Sequence, residues 1–88
     1  MDRRELQSRL AQLHSELQQV ETVDENERDL LRKLSGDIQE LLESQPSDAK
    51  HQRLGEGLRE SIELLEASHP RLTMLMGQVI DQLAKMGI

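Results

Sequence analysis

The sequence predicts an all-α protein made of helical hairpins that pack as a small bundle or an antiparallel coiled-coil-like assembly. Apolar residues recur at alternating spacings of three and four, which places them on one face of a helix. Proline and short polar segments divide the chain into four such stretches. The 88 residues include no Phe, Trp or Tyr, so the predicted core consists of Leu, Ile, Val and Met.

The first predicted helix spans residues 3–21 and carries a narrow apolar stripe, as in a coiled-coil seam. The stripe consists of Leu6, Leu10, Leu13, Leu17 and Val20. Asp2, followed by Glu5 three residues later, matches a capping box, in which each side chain bonds the other residue's backbone N–H. We therefore expect Asp2 to be the N-cap.

The second predicted helix spans residues 25–44 and has a wider apolar face. Asp24 and Glu27 form another capping-box pattern, with Val23 before the cap. The apolar face consists of Leu30, Leu31, Leu34, Ile38, Leu41 and Leu42. A connection of three residues favours an antiparallel hairpin of the first two helices. Ser35-Gly36 marks the point where a bend would cost least.

A polar linker separates the second helix from the third. It comprises residues 44–48, and Pro46 within it cannot continue the preceding helix. Ser47 or Asp48 is then the expected N-cap of a third helix that runs to about Ala67.

Two glycines make the start of the third helix ambiguous. Its apolar face consists of Leu54, Leu58, Ile62 and Leu65. Gly55 and Gly57 each weaken a helix interior by about 1 kcal/mol relative to Ala. The sequence therefore leaves open whether residues 49–56 are helical, and a start near Glu56 would leave residues 49–54 as a looser arm.

The fourth predicted helix has clear signals at both ends. Pro70 suits the first helical position and pushes His69 out of the α region. His69 or Ser68 is the expected N-cap, and the serine hydroxyl is the better capping group. At the other end, Lys85 suits the negative end of the helix dipole and Gly87 suits a left-handed cap.

The fourth helix has the widest apolar face in the chain, and we predict that this face is the interaction surface. The candidate interface consists of Leu72, Leu75, Met76, Val79, Ile80, Leu83 and Met86. Met74 and Met76 suit either an adaptable partner surface or a core, and the helical spacing favours a core or a seam between copies. Gly77, with Thr73 and Ala84, forms a strip of small residues where we expect a neighbouring backbone to come close.

We predict one helical domain over residues 1–88, in which residues 1–44 form the first hairpin and residues 45–88 form the linker and a second helical pair. A chain this short buries a modest core, and association of subunits is a common remedy. The sequence therefore favours a homo-oligomer, specifically a dimer with the fourth helix at its centre and the first at its periphery. An unknown protein partner is the other candidate.

The charge distribution argues against nucleic-acid and membrane partners. The net charge is −6, of which the first 44 residues carry −5, from eleven acids and six bases. Such a surface repels phosphates and anionic lipids, and the chain has no aromatic side chain to stack on bases or anchor in a membrane. The chain lacks cysteine, a signal-peptide pattern and an apolar run of membrane-spanning length, so we expect a cytoplasmic protein.

No residue pattern predicts a catalytic, cofactor or metal site. The three histidines, His14, His51 and His69, have no second histidine one helical turn away, so we expect surface or capping roles. A pH-sensing role for His69 lacks a partner residue in the sequence. The acid pairs, such as Glu60 with Glu63, are typical of solvated helix faces.

These observations favour a non-enzymatic protein-interaction or structural module that acts through self-association or a protein partner. The alternative is a regulator that contacts nucleic acid or membrane through arginine-rich helix faces. Those faces carry Arg3, Arg4, Arg9, Arg28, Arg32 and Lys33. Because acids are interleaved with these bases, we interpret the faces as a salt-bridged exterior.

Several segments resemble a family of small bacterial proteins known as domain of unknown function 4404. They are Glu66-Ala67-Ser68-His69-Pro70-Arg71-Leu72, the closing Leu83-Ala84-Lys85-Met86-Gly87-Ile88, Arg4-Glu5-Leu6 to Leu17, and Asp37-Ile38-Gln39. The Ser-His-Pro-x-Leu and terminal Gly-Ile pieces are the most specific. The resemblance covers nearly the whole chain and implies a bacterial, cytoplasmic, all-helical protein. It implies no activity, cofactor or binding residue.

Overall fold

The computed structural model describes residues 2–22, 24–43 and 47–87, apart from the side chains of residues 2 and 3. Four helices and no strand occur in these ranges, which confirms the all-α prediction. The helices are α1 (Asp2–Gln19), α2 (Glu25–Glu43), α3 (Asp48–Leu65) and α4 (Pro70–Lys85). Some features of the sequence prediction lie outside the described residues: the side chains of Asp2 and Arg3, Val23 before the second cap, residues 44–46 at the end of the second helix and in the linker, and Ile88.

The four helices form a ring in which each packs against two neighbours. Within the described ranges, α1 contacts α2 and α4, and α3 contacts the same two helices. Paired residues show that α1 and α4 are antiparallel: Arg9 Nη1 donates to Gln78 Oε1 at 3.0 Å, and Arg71 Nε lies 3.3 Å from Glu16 Oε1. Two antiparallel hairpins thus close on each other as a four-helix bundle.

The aliphatic faces of all four helices meet inside this ring. The buried apolar residues are Leu6, Leu10, Leu13, Leu17, Leu31, Leu34, Ile38, Leu41, Leu54, Leu58, Leu65, Leu72, Leu75, Met76, Val79 and Leu83. The narrow stripe of α1 is as fully buried as the wide face of α4. Within one chain, α1 is therefore a full member of the ring, and its narrow stripe does not make it peripheral.

Helix α3 is continuous from Asp48, so the looser arm over residues 49–54 and the later start near Glu56 are both wrong. Ser47 is the N-cap, and its hydroxyl accepts a hydrogen bond from the backbone N–H of Lys50 at 3.3 Å. Both glycines in the doubtful half pack against neighbours. A Cβ added at Gly55 or Gly57 would lie 3.6 Å from a leucine methyl of α4 or α2. Packing thus offsets the poor helix propensity of this segment.

Helix α4 begins and ends where the sequence predicts, but its capping differs. Pro70 is in the first turn and His69 is the N-cap, without a side-chain capping bond. Ser68, the better capping group, precedes the cap. The other end follows prediction, because Lys85 is in the last turn and Gly87 adopts a positive φ of 79°. Gly77 differs from expectation: apart from the nearby backbone of α4 itself, no atom of the described residues lies within 4 Å of an added Cβ, so no other described backbone approaches this position.

Candidate functional site

The structure places the predicted interface of α4 inside the chain's own core. Five of its residues are buried: Leu72, Leu75, Met76, Val79 and Leu83. Ile80 and Met86 are partly buried and pack against the same core. Since α1 and α3 of the same chain cover this face, a second copy reaches it only by displacing one of them. Met74 points outward and is 57% exposed, so the two methionines of this helix have different environments.

The turns of both hairpins meet at one end of the bundle around Glu27. The Glu27 carboxylate accepts hydrogen bonds from Thr22 Oγ1 at 3.0 Å and from Ser68 Oγ at 3.3 Å. His69 Nε2 lies 3.2 Å from Glu27 Oε1, and both side chains are partly buried. The Glu27 side chain of α2 therefore connects the α1–α2 turn to the α3–α4 turn, and we call the cluster of Thr22, Glu27, Ser68 and His69 the Glu27 tie. Glu27 also supplies the partner for His69 that the sequence pattern did not show.

This arrangement arises because only half of the predicted capping box forms. The backbone N–H of Glu27 donates to Asp24 Oδ1 at 3.0 Å, as predicted. The reciprocal bond is replaced, because the backbone N–H of Asp24 donates to Thr22 Oγ1 at 3.2 Å. The Glu27 carboxylate is thereby free to contact the other hairpin.

The geometry around Glu27 differs from that of a hydrolytic triad. In a triad the imidazole stands between the hydroxyl and the carboxylate and takes the hydroxyl proton. Here the carboxylate stands between Ser68 and His69. The cluster is thus arranged as a tie between turns. Across residues 2–22, 24–43 and 47–87, no group of three or more His, Cys, Asp or Glu side chains is placed to hold a metal ion.

The other two histidines lie away from this cluster. His51 is 4% exposed and lines the α3–α4 side of the bundle, so its predicted surface or capping role is wrong. His14 is half-buried, and its Nε2 atom has no hydrogen-bond partner among the described residues.

An open groove between α2 and α3 carries the most exposed large apolar side chain in the described residues. Leu64 is 62% exposed and faces the half-buried Leu30 across the groove, whose volume is about 450 Å³. The groove is also lined by Asp24, Asn26, Glu27, Asp29 and Lys33. We call this surface the Leu64 groove.

The apolar spacing of the third helix does not single out Leu64. The signal is the doublet Leu64-Leu65, because consecutive residues point about 100° apart on a helix and only one fits a narrow buried face. Leu65 continues the face of Leu58 and Ile62 and is 0% exposed. The extra leucine of such a doublet lies at the edge of the face, which is where Leu64 is found.

Two bases of the predicted arginine faces, Arg9 and Arg28, bond to neutral groups within the chain. Besides the contacts of Arg9 and Arg71 with the opposite helix, Arg28 Nη2 donates to the backbone carbonyl of Thr22 at 3.0 Å. Lys50 Nζ lies 3.0 Å from Glu40 Oε1, which joins α3 to α2. Of these contacts, only those of Arg71 and Lys50 are ion pairs, and neither base belongs to the predicted arginine faces, so the interpretation of those faces as a salt-bridged exterior stays a prediction.

A family model with the description Domain of unknown function (DUF4404) matches residues 6–88. The chain belongs to this family. The resemblance predicted from the sequence is therefore confirmed, and the match to domain of unknown function 4404 includes the whole Glu27 tie and the whole Leu64 groove. No curated protein and no solved structure matches the chain. In the described part of this family member, no helix has the length and apolar character required to cross a membrane.

Proposed function

We propose that the chain is a non-enzymatic protein-interaction module that presents the Leu64 groove as its contact surface. The observation that carries the proposal is the exposure of Leu64, 62%, beside the half-buried Leu30 in an open groove. Burying the exposed part of a leucine side chain contributes about 1–2 kcal/mol, so this groove gains from being covered. The face of α4 gains nothing further, because α1 and α3 already cover it.

A photo-crosslinking residue placed at position 64 tests this function in the native cell. Position 74 on α4 is the matched control, because Met74 has nearly the same exposure, 57%, and lies outside the groove. We expect a discrete adduct from position 64 and none of the same mass from position 74. An adduct pattern that is the same at both positions, or no adduct at position 64, would contradict the proposal.

The other form of the proposal is self-association as a dimer, which the sequence favours, although the acids that line the Leu64 groove make a second copy the weaker candidate for that surface. A dimer that leaves the four-helix ring intact must use an outer surface, since the α4 face is closed within the chain. Light scattering at high micromolar concentration measures this directly. A strict monomer under those conditions leaves a different protein as the partner.

We propose a bacterial, cytoplasmic location for the module. The resemblance of the sequence to a family of small bacterial proteins supports it. Fractionation of the native cell with detection of the chain tests it, and recovery in a membrane or extracellular fraction would contradict it.

A further inference from the structure

We infer that the Leu64 groove binds an amphipathic helix of another protein that carries an apolar ridge flanked by lysine or arginine. This inference rests on the proposed function and names the chemistry of the partner. It follows from two independent features: the apolar side chains between α2 and α3, and the segregation of charge around them.

The apolar feature suits a helix laid along the groove. Gly57 packs against Leu34 and Ser68 contacts Glu27, so α2 and α3 run antiparallel beside each other. Leu30 and Leu64 lie between these two contacts on the outer side. An amphipathic helix binds such a surface with apolar residues spaced by three and four, in the manner of helix-in-groove recognition.

The charge around the groove is mostly negative. Among the lining residues, Asp24, Glu27 and Asp29 are acids and Lys33 is the single base. On α3, Glu60 is one turn before Leu64 on the same face and Glu63 is its neighbour in sequence; both are exposed. Acids placed around an apolar contact favour a basic partner and repel an acidic one.

Apart from Lys33, the nearby bases are on other sides of the bundle. Arg28 and Arg32 line a separate groove between α1 and α2. Arg59 lies on the α3–α4 side beside Ile80 and Leu83. The negative character of the Leu64 groove is therefore not cancelled by its immediate sequence neighbours.

The same charge pattern disfavours a second copy as the occupant. In a two-fold dimer, the same patch of each copy faces the other. Asp24, Asp29 and Glu63 of one copy would then approach the same acids of its partner, with a net charge of −6 on each chain. A basic helix from a different protein meets no such repulsion.

The test uses a synthetic helical peptide with leucines spaced by three and four and lysines on both flanks, and a matched peptide with glutamate at each lysine position. Fluorescence anisotropy with the full chain reports binding. We expect the lysine peptide to bind with an affinity that falls as salt rises, and the glutamate peptide to bind at least about tenfold more weakly.

Variants of the chain locate the binding. Leu64→Ala is expected to weaken the lysine peptide about tenfold, whereas Met74→Ala leaves it unchanged. The double variant Asp29→Asn, Glu63→Gln is expected to weaken binding and reduce its salt dependence. Neither of those acids makes a described hydrogen bond or ion pair, and circular dichroism checks that each variant is folded.

The possible results distinguish a failure of the inferred partner chemistry from a failure of the proposed interaction function. Equal binding of both peptides, failure of the lysine peptide to bind, or no effect of Leu64→Ala would overturn the inference. If light scattering shows a dimer that Leu64→Ala dissociates, the occupant is a second copy, and the inference is wrong while the interaction function stands. The absence of a photo-adduct at position 64 would instead contradict the proposed interaction function.

Discussion

Leu64 and Leu65 are neighbours in α3, yet Leu64 is 62% exposed and Leu65 is 0% exposed. Leu65 packs into the core that the four helices share, whereas Leu64 lines a groove on the outer side of α2 and α3. The same residue type therefore serves stability at one position and, in our proposal, recognition at the next. The difference shows that the register of a residue on its helix, rather than its hydrophobicity, decides which role it takes.

The apolar face of α4, which is the broadest in the chain, extends this comparison from single residues to a whole helix. Its width predicts that the face of α4 is the interaction surface, whereas the ring of helices covers this face within one chain. The small Leu64 groove remains open. A wide face thus indicates how much surface must be covered, and the chain's own helices cover it first.

The largest effect is expected when charged side chains are introduced into the covered apolar face of α4. The double variant Leu75→Glu, Val79→Glu places two carboxylates in the apolar core, and burying each without a partner costs several kcal/mol. Because small domains are stable by only about 5–15 kcal/mol, we expect the chain to unfold. Far-UV circular dichroism and amide NMR dispersion measure the loss of structure.

The control for that variant is Met74→Glu, which adds a charge to the exposed side of the same helix. It is expected to remain folded with a nearly unchanged melting temperature. A double variant that stays folded, with the same mass in light scattering as the native chain, would show that α4 does not hold the core together.

A smaller effect is expected when each leucine of the neighbouring pair is shortened. Leu65→Ala removes buried methyl groups and leaves a cavity, so it should lower the free energy of unfolding by about 2–5 kcal/mol. Leu64→Ala should change it by less than about 0.5 kcal/mol, as is usual for surface positions. Urea unfolding followed by circular dichroism measures both, and similar losses at the two positions would contradict the separation of roles.

The helices and their order could be predicted because they depend on local rules. Apolar spacing located all four helices, and Pro70 and Gly87 located the ends of α4. The continuity of α3 could not be predicted in the same way. Gly55 and Gly57 disfavour a helix locally, and the contacts with Leu83 and Leu34 come from other helices.

The candidate site was harder to predict because its residues are distant in sequence. Glu27 and His69 are 42 residues apart, and no spacing rule brings them together. The capping-box pattern even assigned the Glu27 carboxylate to a different partner, the backbone of Asp24. Leu64 is recognisable only once the face of Leu65 is known to be the one that is covered. Periodicity shows which residues share a face but not what covers it.

The Glu27 tie sharpens the comparison because it holds the end of α3 beside α2, where Leu65 is covered and Leu64 is open. Glu27→Ala removes the acceptor for Thr22 and Ser68 and the contact with His69, so we expect a loss of about 1–2 kcal/mol. Glu25→Ala is the matched control, since Glu25 is also an acid in the first turn of α2 and is exposed. Thermal unfolding should show a clearly larger loss for Glu27→Ala, and equal losses would mean that the carboxylate acts only through the helix dipole.

The smallest effect is expected at Gly77, where the comparison again depends on whether the position is covered by a neighbouring helix or open. Gly77 was expected to meet a neighbouring backbone, and in that case a methyl group would clash and destabilise the chain. Among the described residues, no atom outside the nearby backbone of α4 lies within 4 Å of an added Cβ, so Gly77→Ala should raise the free energy of unfolding by about 0.5–1 kcal/mol through helix propensity. Gly36→Ala on α2 is the control, because that position is equally open. Urea unfolding measures whether each substitution raises or lowers the free energy of unfolding. An increase for Gly36→Ala together with a decrease for Gly77→Ala would mean that another helix lies closer to α4 than it does in the ring.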